Sequence, residues 1–333
     1  MTLRLKSLFA AAGVAGLAFL GVPSAVSAAG AKPEIAVVVK ITGIPWFNRF
    51  EAGVKRAGDQ LGVNAYQVGP TAADPAQQVK LIEDLIAKKV DAIAVVPNDA
   101  KVLAPVLKRA QDAGIVVVTH ESPGQAGSSW DLETIDNREF ATAVFQKLAD
   151  ATGGKGKFAL VVGSLTVPLH NEWADIGLAF LKAKYPDLKP VADRYPVGES
   201  LDDSYKTSQE ILRAHPDLKG FVAFGSQGPI GFARALERQN KTTKEITNVG
   251  NVLPKQAAPY LKKDQISEGF LWDPSDAGFG LVALAKKVID KQPIETGIEL
   301  PGLGKGTVEA AQHVVRFKAT RTFTKENVDQ FDF

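Results

Sequence analysis

The sequence predicts an α/β protein built from two doubly wound parallel-sheet lobes joined by a multi-strand hinge. Two observations predict this class. Short apolar runs without polar gaps, typical of buried parallel strands, alternate with longer stretches of helical spacing. The alternation runs through two cycles, over residues 33–136 and 156–252, with the turn sequence Gly153-Gly154-Lys155-Gly156 between them.

The predicted strands share an apolar and largely β-branched composition. They are Ile35–Val39, Ala92–Val96, Ile115–Thr119, Phe158–Val162, Gly220–Ala223, Ile246–Val249, a short strand around Glu268–Leu271 and a last strand at Val314–Phe317. The predicted helices repeat apolar residues at helical spacing. They are Pro45–Leu61, Ala76–Lys88, Ala100–Ala113, Arg138–Thr152, Asn171–Lys184, Ser204–Ala214, Pro229–Gln239 and Asp276–Lys291.

The late segments must return to the two lobes, which predicts several chain crossings between them. We expect an N-terminal lobe of residues 30–137 and 274–305 and a C-terminal lobe of residues 138–273 and 306–333. This arrangement leaves a cleft between the carboxyl ends of the two sheets.

The beginning of the chain has the pattern of an export signal. Two basic residues precede an apolar run from Leu8 to Val22, and small residues follow it. The run is shorter than the ~20 residues that a membrane-spanning helix needs. We therefore predict a signal peptide over residues 1–29, cleavage near Ala28 or Ala29, and a location in the periplasm.

Composition and motifs argue against several classes of function. The formal net charge is +2 and the signal contributes two positive charges, so the mature chain is close to neutral, which argues against nucleic acid. The sequence contains no cysteine, so no disulfide framework is possible. The histidines lack metal-ligand spacing, and neither a nucleophile elbow nor a glycine-rich phosphate loop is present. We predict a protein that is not an enzyme and that uses no metal or cofactor.

Candidate binding residues follow the predicted strands, because open α/β sheets bind ligands beyond the carboxyl ends of their strands. Charged and amide side chains can bind sugar hydroxyls, and aromatic rings can cover the C–H faces of a sugar. A small polar molecule, in particular a sugar, is therefore the expected ligand. The candidates are Lys40, Trp46, Phe47, Glu121, Asp136, His170, Asn171, Phe224, Ser226, Gln227, Asn251, Trp272 and Asp273.

Each candidate also has a structural interpretation. Trp46 and Phe47 can be core residues, and Lys40 can be an exposed lysine. Others can cap a turn or the start of a helix, as Asp and Asn commonly do. This group comprises Glu121, Asp136, His170, Asn171 and, at the hinge, Asp273.

Several short motifs follow one another, over the whole of residues 33–333, in the order found in a known protein family. Among them are Ile35-Ala36-Val37-Val38-Val39-Lys40, Gly69-Pro70-Thr71, Asn171-Glu172-Trp173, Gly269-Phe270-Leu271-Trp272-Asp273 and Phe323-Thr324-Lys325-Glu326-Asn327. In this order the chain resembles the periplasmic sugar-binding proteins of ABC importers, of the ribose-binding-like type I branch. Within that branch it is most similar to the group that binds rhamnose and the autoinducer signal.

The resemblance implies a monomer with three crossings between its lobes, closure on the ligand, and docking on an ABC permease in the inner membrane. The autoinducer binders have a lysine where Lys40 stands and an aspartate where Glu121 stands. They have an Asp-Gln pair where this chain has Leu169-His170, and Pro-x-Ala where it has Phe224-Gly225-Ser226. These departures put the autoinducer in doubt. The ribose binders have a pair of Phe where Trp46-Phe47 stand, an Asp where Glu121 lies and a Gln where Trp272 lies. The resemblance therefore favours another pentose, a deoxyhexose or a related polyol. The alternative is a chemoreceptor-linked or autoinducer-binding protein, while a repressor's effector domain or an enzyme is disfavoured.

Overall fold

Two sheets of mainly parallel strands carry the fold in a computed structural model that describes residue 2 and residues 32–333. The predicted signal peptide lies, apart from Thr2, outside the described residues. The strands are β1 (Glu34–Val38), β2 (Asn64–Val68), β3 (Ala92–Val95), β4 (Val116–His120), β5 (Trp130–Glu133), β6 (Lys155–Val162), β7 (Asp187–Pro190), β8 (Tyr195–Pro196), β9 (Leu218–Ala223), β10 (Thr247–Asn251), β11 (Glu268–Leu271), β12 (Glu299–Leu300), β13 (Gly304–Lys305), β14 (Thr307–Glu309), β15 (Val314–Arg316) and β16 (Arg321–Phe323).

Helices cover both sheets. They are α1 (Pro45–Leu61), α2 (Pro75–Lys88), α3 (Ala100–Asp112), α4 (Asn137–Thr152), α5 (Pro168–Lys184), α6 (Leu201–Ala214), α7 (Gly228–Arg238), α8 (Pro254–Lys262) and α9 (Pro274–Ile289), followed by a short 3₁₀ turn at Val328–Gln330. None of the helices in the described part of the chain has the length and apolar character needed to span a bilayer.

The first sheet has the strand order β14-β15-β5-β4-β3-β1-β2, and the second has the order β16-β11-β10-β9-β6-β7 with β8 beside β6. Pairing within these two sheets is parallel except for β14 with β15 and β11 with β16, and β12 and β13 form a separate antiparallel pair. Residues Ile35–Val39 are fully buried, as expected of a central strand covered on both faces. The predicted class, two doubly wound lobes, is confirmed.

Helix α9 fixes the late part of the chain to the first sheet, because it packs on α1 and against β3 and β4. A Cβ atom on Gly53 of α1 would lie 1.9 Å from the carbonyl oxygen of Ser275, so only glycine permits this close approach. The helix that follows β11 therefore returns to the first sheet.

Residues 306–316 lie in the first lobe, whereas the sequence predicts that residues 306–333 belong to the C-terminal lobe. Strand β15 pairs parallel to β5 in the first sheet, and β14 pairs with β15. Strand β16 then pairs antiparallel to β11 in the second sheet. A strand as short as β15 carries no sequence signal for the sheet that it joins, which is why the assignment differed.

Three crossings connect the sheets: between β5 and α4, between β11 and α9, and between β15 and β16. The first and third run side by side, since the Phe317 amide donates to the Glu133 carbonyl at 2.7 Å and the Ala319 amide donates to the Thr134 carbonyl at 3.0 Å. The hinge therefore consists of several hydrogen-bonded segments.

Candidate ligand-binding site

A cavity lies between the carboxyl ends of the two sheets, with an empty volume of about 310 Å³. Part of this volume is open to solvent. The first sheet and its loops contribute one half of the lining, and the second sheet contributes the other. The lining residues are Lys40, Ile44, Trp46, Phe47 and Glu121 from the first and His170, Glu199, Gly225, Ser226 and Asn251 from the second.

A buried ammonium group lies between two carboxylates at the centre of this lining. Lys40 follows β1, and its Nζ is 2.9 Å from Oε2 of Glu121 and 3.1 Å from Oε1 of Glu199. The three residues are 3%, 4% and 7% exposed. Since Glu121 follows β4 and Glu199 precedes α6, the Lys40–Glu199 ion pair joins the two lobes across the cavity.

The charges in this cluster stabilise one another. Burial disfavours the charged form of Lys40, but the nearby carboxylates of Glu121 and Glu199 outweigh it and raise its pKa. Burial also acts to raise the pKa of Glu121, yet the Lys40 ammonium dominates and holds that pKa at about 2. Glu121 further has a φ of +60°, an uncommon backbone conformation for a residue other than glycine. Such strain is concentrated at functional sites.

His170, at the start of α5, is a neutral member of the lining. Its Nδ1 accepts a hydrogen bond from the Gly163 amide at 3.1 Å, which places the ring proton on Nε2. Burial and the charge of Lys40 lower the His170 pKa to about 3. The imidazole is therefore a hydrogen-bond donor through Nε2 at neutral pH.

Aromatic rings form the apolar part of the wall. Trp46 stacks on Phe50 with ring centroids 5.3 Å apart and meets Phe47 edge-on at 4.7 Å. Lys40 Nζ lies 5.9 Å from the centroid of the Phe47 ring. Trp46 and Phe47 thus line the cavity and also pack in the core. Both interpretations that the sequence allows for these rings, a place at the site and a place in the core, describe their positions.

Two buried oxygen atoms of lining residues lack a partner within residues 32–333. They are Oε2 of Glu199 and Oδ1 of Asn251. Buried polar groups in native proteins are nearly always hydrogen-bonded, since an unpaired one costs about 1–3 kcal/mol. The cavity therefore offers acceptors that an occupant can satisfy.

The predicted candidates fall into two groups. Lys40, Trp46, Phe47, Glu121, His170, Ser226 and Asn251 line the cavity. The other candidates lie off its lining, and two of these stand one layer behind it. The Phe224 ring is 5.4 Å from the Trp173 ring, which stacks on His170 at 5.6 Å. The Trp272 ring meets Trp46 edge-on at 6.2 Å.

The remaining candidates make structural hydrogen bonds instead. Asp136 caps α4 by accepting from the Glu139 amide at 3.0 Å. The Asn171 side chain donates to the carbonyls of Ser164 and Val167 at 2.9 and 2.7 Å.

Gln227 and Asp273 complete this second group. The Gln227 carbonyl oxygen accepts from the Gln256 amide at 3.0 Å. Asp273 caps α9 and accepts two bonds from Arg49 at 2.9 and 2.7 Å. Short polar side chains at helix starts satisfy free backbone amides, which explains the positions of Asp136 and Asp273.

Sequence reasoning missed Glu199, Ile44 and Gly225 as lining residues. Glu199 follows the two-residue strand β8, which has no apolar run to reveal it. The one available signal is the helix-capping Ser200 directly after it. Gly225 has a φ of +116°, and a Cβ atom there would lie 2.7 Å from the backbone of Gly198, so these two loops meet beside Glu199.

The chain matches the family model described as "Periplasmic binding protein domain" over residues 35–293, and it belongs to this family. It is 23% identical to the ribose import binding protein RbsB of Bacillus subtilis over 277 residues, 83% of this chain and 88% of that protein. The family resemblance expected from the motifs is confirmed.

Solved structures share the fold. LsrB from Clostridium saccharobutylicum in complex with AI-2 superposes with a TM-score of 0.84 at 23% identity, covering 90% of this chain and 100% of that one. An ABC transporter solute-binding protein from Clostridium phytofermentas with bound L-rhamnose gives a TM-score of 0.81 at 22% identity, covering 90% and 98%.

Proposed function

We propose that the protein is a periplasmic solute-binding protein that captures a monosaccharide or related polyol between its lobes and delivers it to an ABC importer. One observation carries the proposal. A cavity at the carboxyl ends of both sheets combines buried charges, amide and hydroxyl groups with aromatic rings. Such a mixture suits a molecule with many hydroxyls and an apolar C–H face.

The ligands of the similar proteins support this choice. By their descriptions they bind or import ribose, L-rhamnose and AI-2, all of which are small and rich in hydroxyls. The departures from the autoinducer pattern at Leu169-His170 and Phe224-Gly225-Ser226 favour a pentose, a deoxyhexose or a similar polyol. Signal binding for AI-2 or for a chemoreceptor is the second candidate, favoured by Lys40 and by the AI-2 complex among the similar structures.

The mechanism is closure of the lobes around the ligand, without chemistry on it. Lys40 and Glu121 lie on the first lobe and Glu199 on the second, and the Thr166 hydroxyl donates to the Asn98 carbonyl at 3.0 Å across the cleft. A ligand that contacts both halves of the lining stabilises the closed arrangement by its differential affinity for it. The closed monomer then docks on the permease.

Export completes the proposed function. We place the mature protein in the periplasm after removal of residues 1–29, with cleavage near Ala28 or Ala29. N-terminal sequencing of the protein secreted to the periplasm tests this part, and a first residue other than Ala29 or Gly30 would contradict the cleavage assignment.

A thermal-shift panel with isothermal titration calorimetry tests ligand capture. The panel contains D-ribose, D-arabinose, L-rhamnose, D-fucose, xylitol, erythritol and AI-2. A ligand at a hundred times its Kd stabilises the native state by about 2.7 kcal/mol, which is a shift of several degrees. We expect at least one sugar or polyol to give this shift. A response to AI-2 alone would favour the second candidate, and a flat response throughout would contradict sugar capture.

A further inference from the structure

One oxygen atom of the buried Glu199 carboxylate has no hydrogen-bond donor in the described part of the chain. Oε1 of Glu199 bonds to Lys40 at 3.1 Å, whereas its Oε2 is buried and has no partner in the described part of the chain. An ionised carboxylate accepts on both oxygens, and leaving one of them empty in a buried place is costly. Since Glu199 lines the cavity, an occupant is in position to supply the missing donor.

The backbone around Glu199 holds this carboxylate in place. The Gly198 amide donates to the Val162 carbonyl at 2.8 Å, and the Gly198 carbonyl accepts from the amides of Gln227 and Gly228 at 3.0 and 3.1 Å. The loop is thereby fixed to β6 and to the start of α7. The position of Glu199 is built into the fold, in contrast to that of a surface acid on a mobile loop.

The charge balance of the lining points in the same direction. Glu121 and Glu199 face a single ammonium group within the lining, that of Lys40, and His170 is neutral. His120 stands behind Glu121, with its Nε2 4.0 Å from Oε1, and is not a lining residue. Asn251 adds a further unpartnered oxygen within residues 32–333. The lining thus has a net negative charge and two acceptor oxygens that lack a protein donor among the described residues.

We infer that Glu199 determines the ligand class of this site: its Oε2 accepts a hydrogen bond from a ligand hydroxyl, so the site takes a neutral polyhydroxylated ligand and rejects the corresponding sugar acid or sugar phosphate. This inference rests on the proposed function. Rejection follows because a carboxylate or phosphate group placed beside Glu199 has no hydrogen to donate to Oε2 and adds like charge in a buried space, which is how binding sites discriminate by unfavourable contacts.

The experiment compares wild type with Glu199→Gln, using the panel sugar of lowest Kd, its aldonate and its monodeoxyfluoro derivatives. Fluorine keeps the size of a hydroxyl but donates no hydrogen bond. Glutamine keeps the shape of the side chain and leaves Lys40 paired with Glu121, so the variant is expected to fold. Asp202→Asn, which removes an exposed carboxylate from the first turn of α6, is the matched control.

In wild type, one fluoro derivative should bind roughly 10- to 100-fold more weakly, as expected for loss of a hydrogen bond to a charged group. In Glu199→Gln the Lys40 ammonium should hold the amide oxygen, which leaves the NH₂ group, a donor, at the position of Oε2. The same derivative should then lose less than about threefold, because the two changes remove the same bond. The preference for the sugar over its aldonate should fall at least tenfold in Glu199→Gln and stay unchanged in Asp202→Asn.

Identical fluorine effects in wild type and Glu199→Gln at every position would overturn the inference, and so would tight binding of the aldonate to wild type. In both cases the parent sugar still binds, so the proposed function survives. If no panel member binds wild type, the proposed function fails and the inference fails with it.

Discussion

Replacing Lys40 by methionine removes the ammonium group that lies between two buried carboxylates. The change keeps the length of the side chain, so its main effect is electrostatic. In wild type the ammonium is 2.9 and 3.1 Å from the carboxylates of Glu121 and Glu199. Without it, two neighbouring negative charges remain in a place from which water is largely excluded.

Removing one partner of a buried ion pair typically costs about 3–5 kcal/mol, because the remaining charge is uncompensated. For a protein of this size, roughly 2–4 °C of Tm corresponds to each kcal/mol, so we expect Tm at pH 7 to fall by about 6–20 °C. Replacing both glutamates by glutamine in the same chain removes the uncompensated charge. That triple variant should recover most of the lost stability.

The pH dependence gives a sharper test than the magnitude. In wild type the folded-state pKa of Glu121, about 2, lies below its ordinary value of 4.5. Its contribution to stability is therefore present above pH 4.5 and is lost as the pH falls from 4.5 toward 2. In Lys40→Met, burial without a counter-charge raises that pKa above 4.5, so the stability deficit of the variant relative to wild type should shrink as the pH falls from 7 toward 4.5.

Urea unfolding of the ligand-free protein at pH 7 and pH 5 measures both effects. The reasoning is refuted if Lys40→Met is as stable as wild type at pH 7, or if its stability deficit relative to wild type is no smaller at pH 5 than at pH 7. Glu83→Gln, at an exposed ion pair with Arg109, serves as the control and should change stability by less than about 1 kcal/mol.

Three further predictions concern neighbouring features. His170 is buried in its neutral form with a pKa of about 3, below its ordinary 6.5, so it disfavours the folded state as the pH falls from 6.5 to 3. His170→Asn should therefore remove about 4 kcal/mol of acid destabilisation, measured by urea unfolding across this pH range. An unchanged dependence of stability on pH would contradict the prediction. Gly225→Ala should lower Tm and weaken sugar binding at least tenfold, because the added Cβ would collide with the backbone of Gly198. Gly62→Ala, at another positive φ but with open space around it, should leave binding unchanged. Equal effects of the two changes on binding would argue against a role for the contact between the Gly198 and Gly225 loops. Trp272→Ala should cost about 3–5 kcal/mol even in the ligand-free protein, because the ring is buried among aromatic neighbours; a stability equal to wild type would show that the ring is not part of the core.

The fold was largely predictable because most of its central strands contain an uninterrupted run of apolar residues. Strand β1 and helix α1 occur where the apolar run and the proline-led helical pattern placed them. Strand β2 was missed because it lies at a sheet edge, half exposed, with the mixed sequence Asn64–Val68. Strand β5 was missed for the opposite reason, since it buries the carboxyl groups of Asp131 and Glu133.

The sequence could predict only those site residues that directly follow a recognisable strand, because the end of that strand determines where they lie. Lys40 and Glu121 each follow a buried strand of the first sheet, and that rule found both of them. Glu199 satisfies no such rule, because its position depends on contacts between the Gly198 and Gly225 loops that only the assembled second lobe creates.

Aromatic residues show the complementary difficulty. The sequence offers Trp46, Phe224 and Trp272 as rings that can cover the apolar face of a sugar, with Trp272 preferred, yet only packing decides which ring faces the cavity. Trp46 reaches the lining, while Trp272 packs behind it at 6.2 Å and Phe224 packs behind His170 through Trp173. A second layer of rings can still influence the ligand, because it limits how far the first layer can move. We therefore expect ligand specificity in this cleft to depend on the few polar groups that the packed aromatic wall leaves facing inward. Among them are Glu199 and Asn251, each with a buried oxygen that has no protein donor among the described residues.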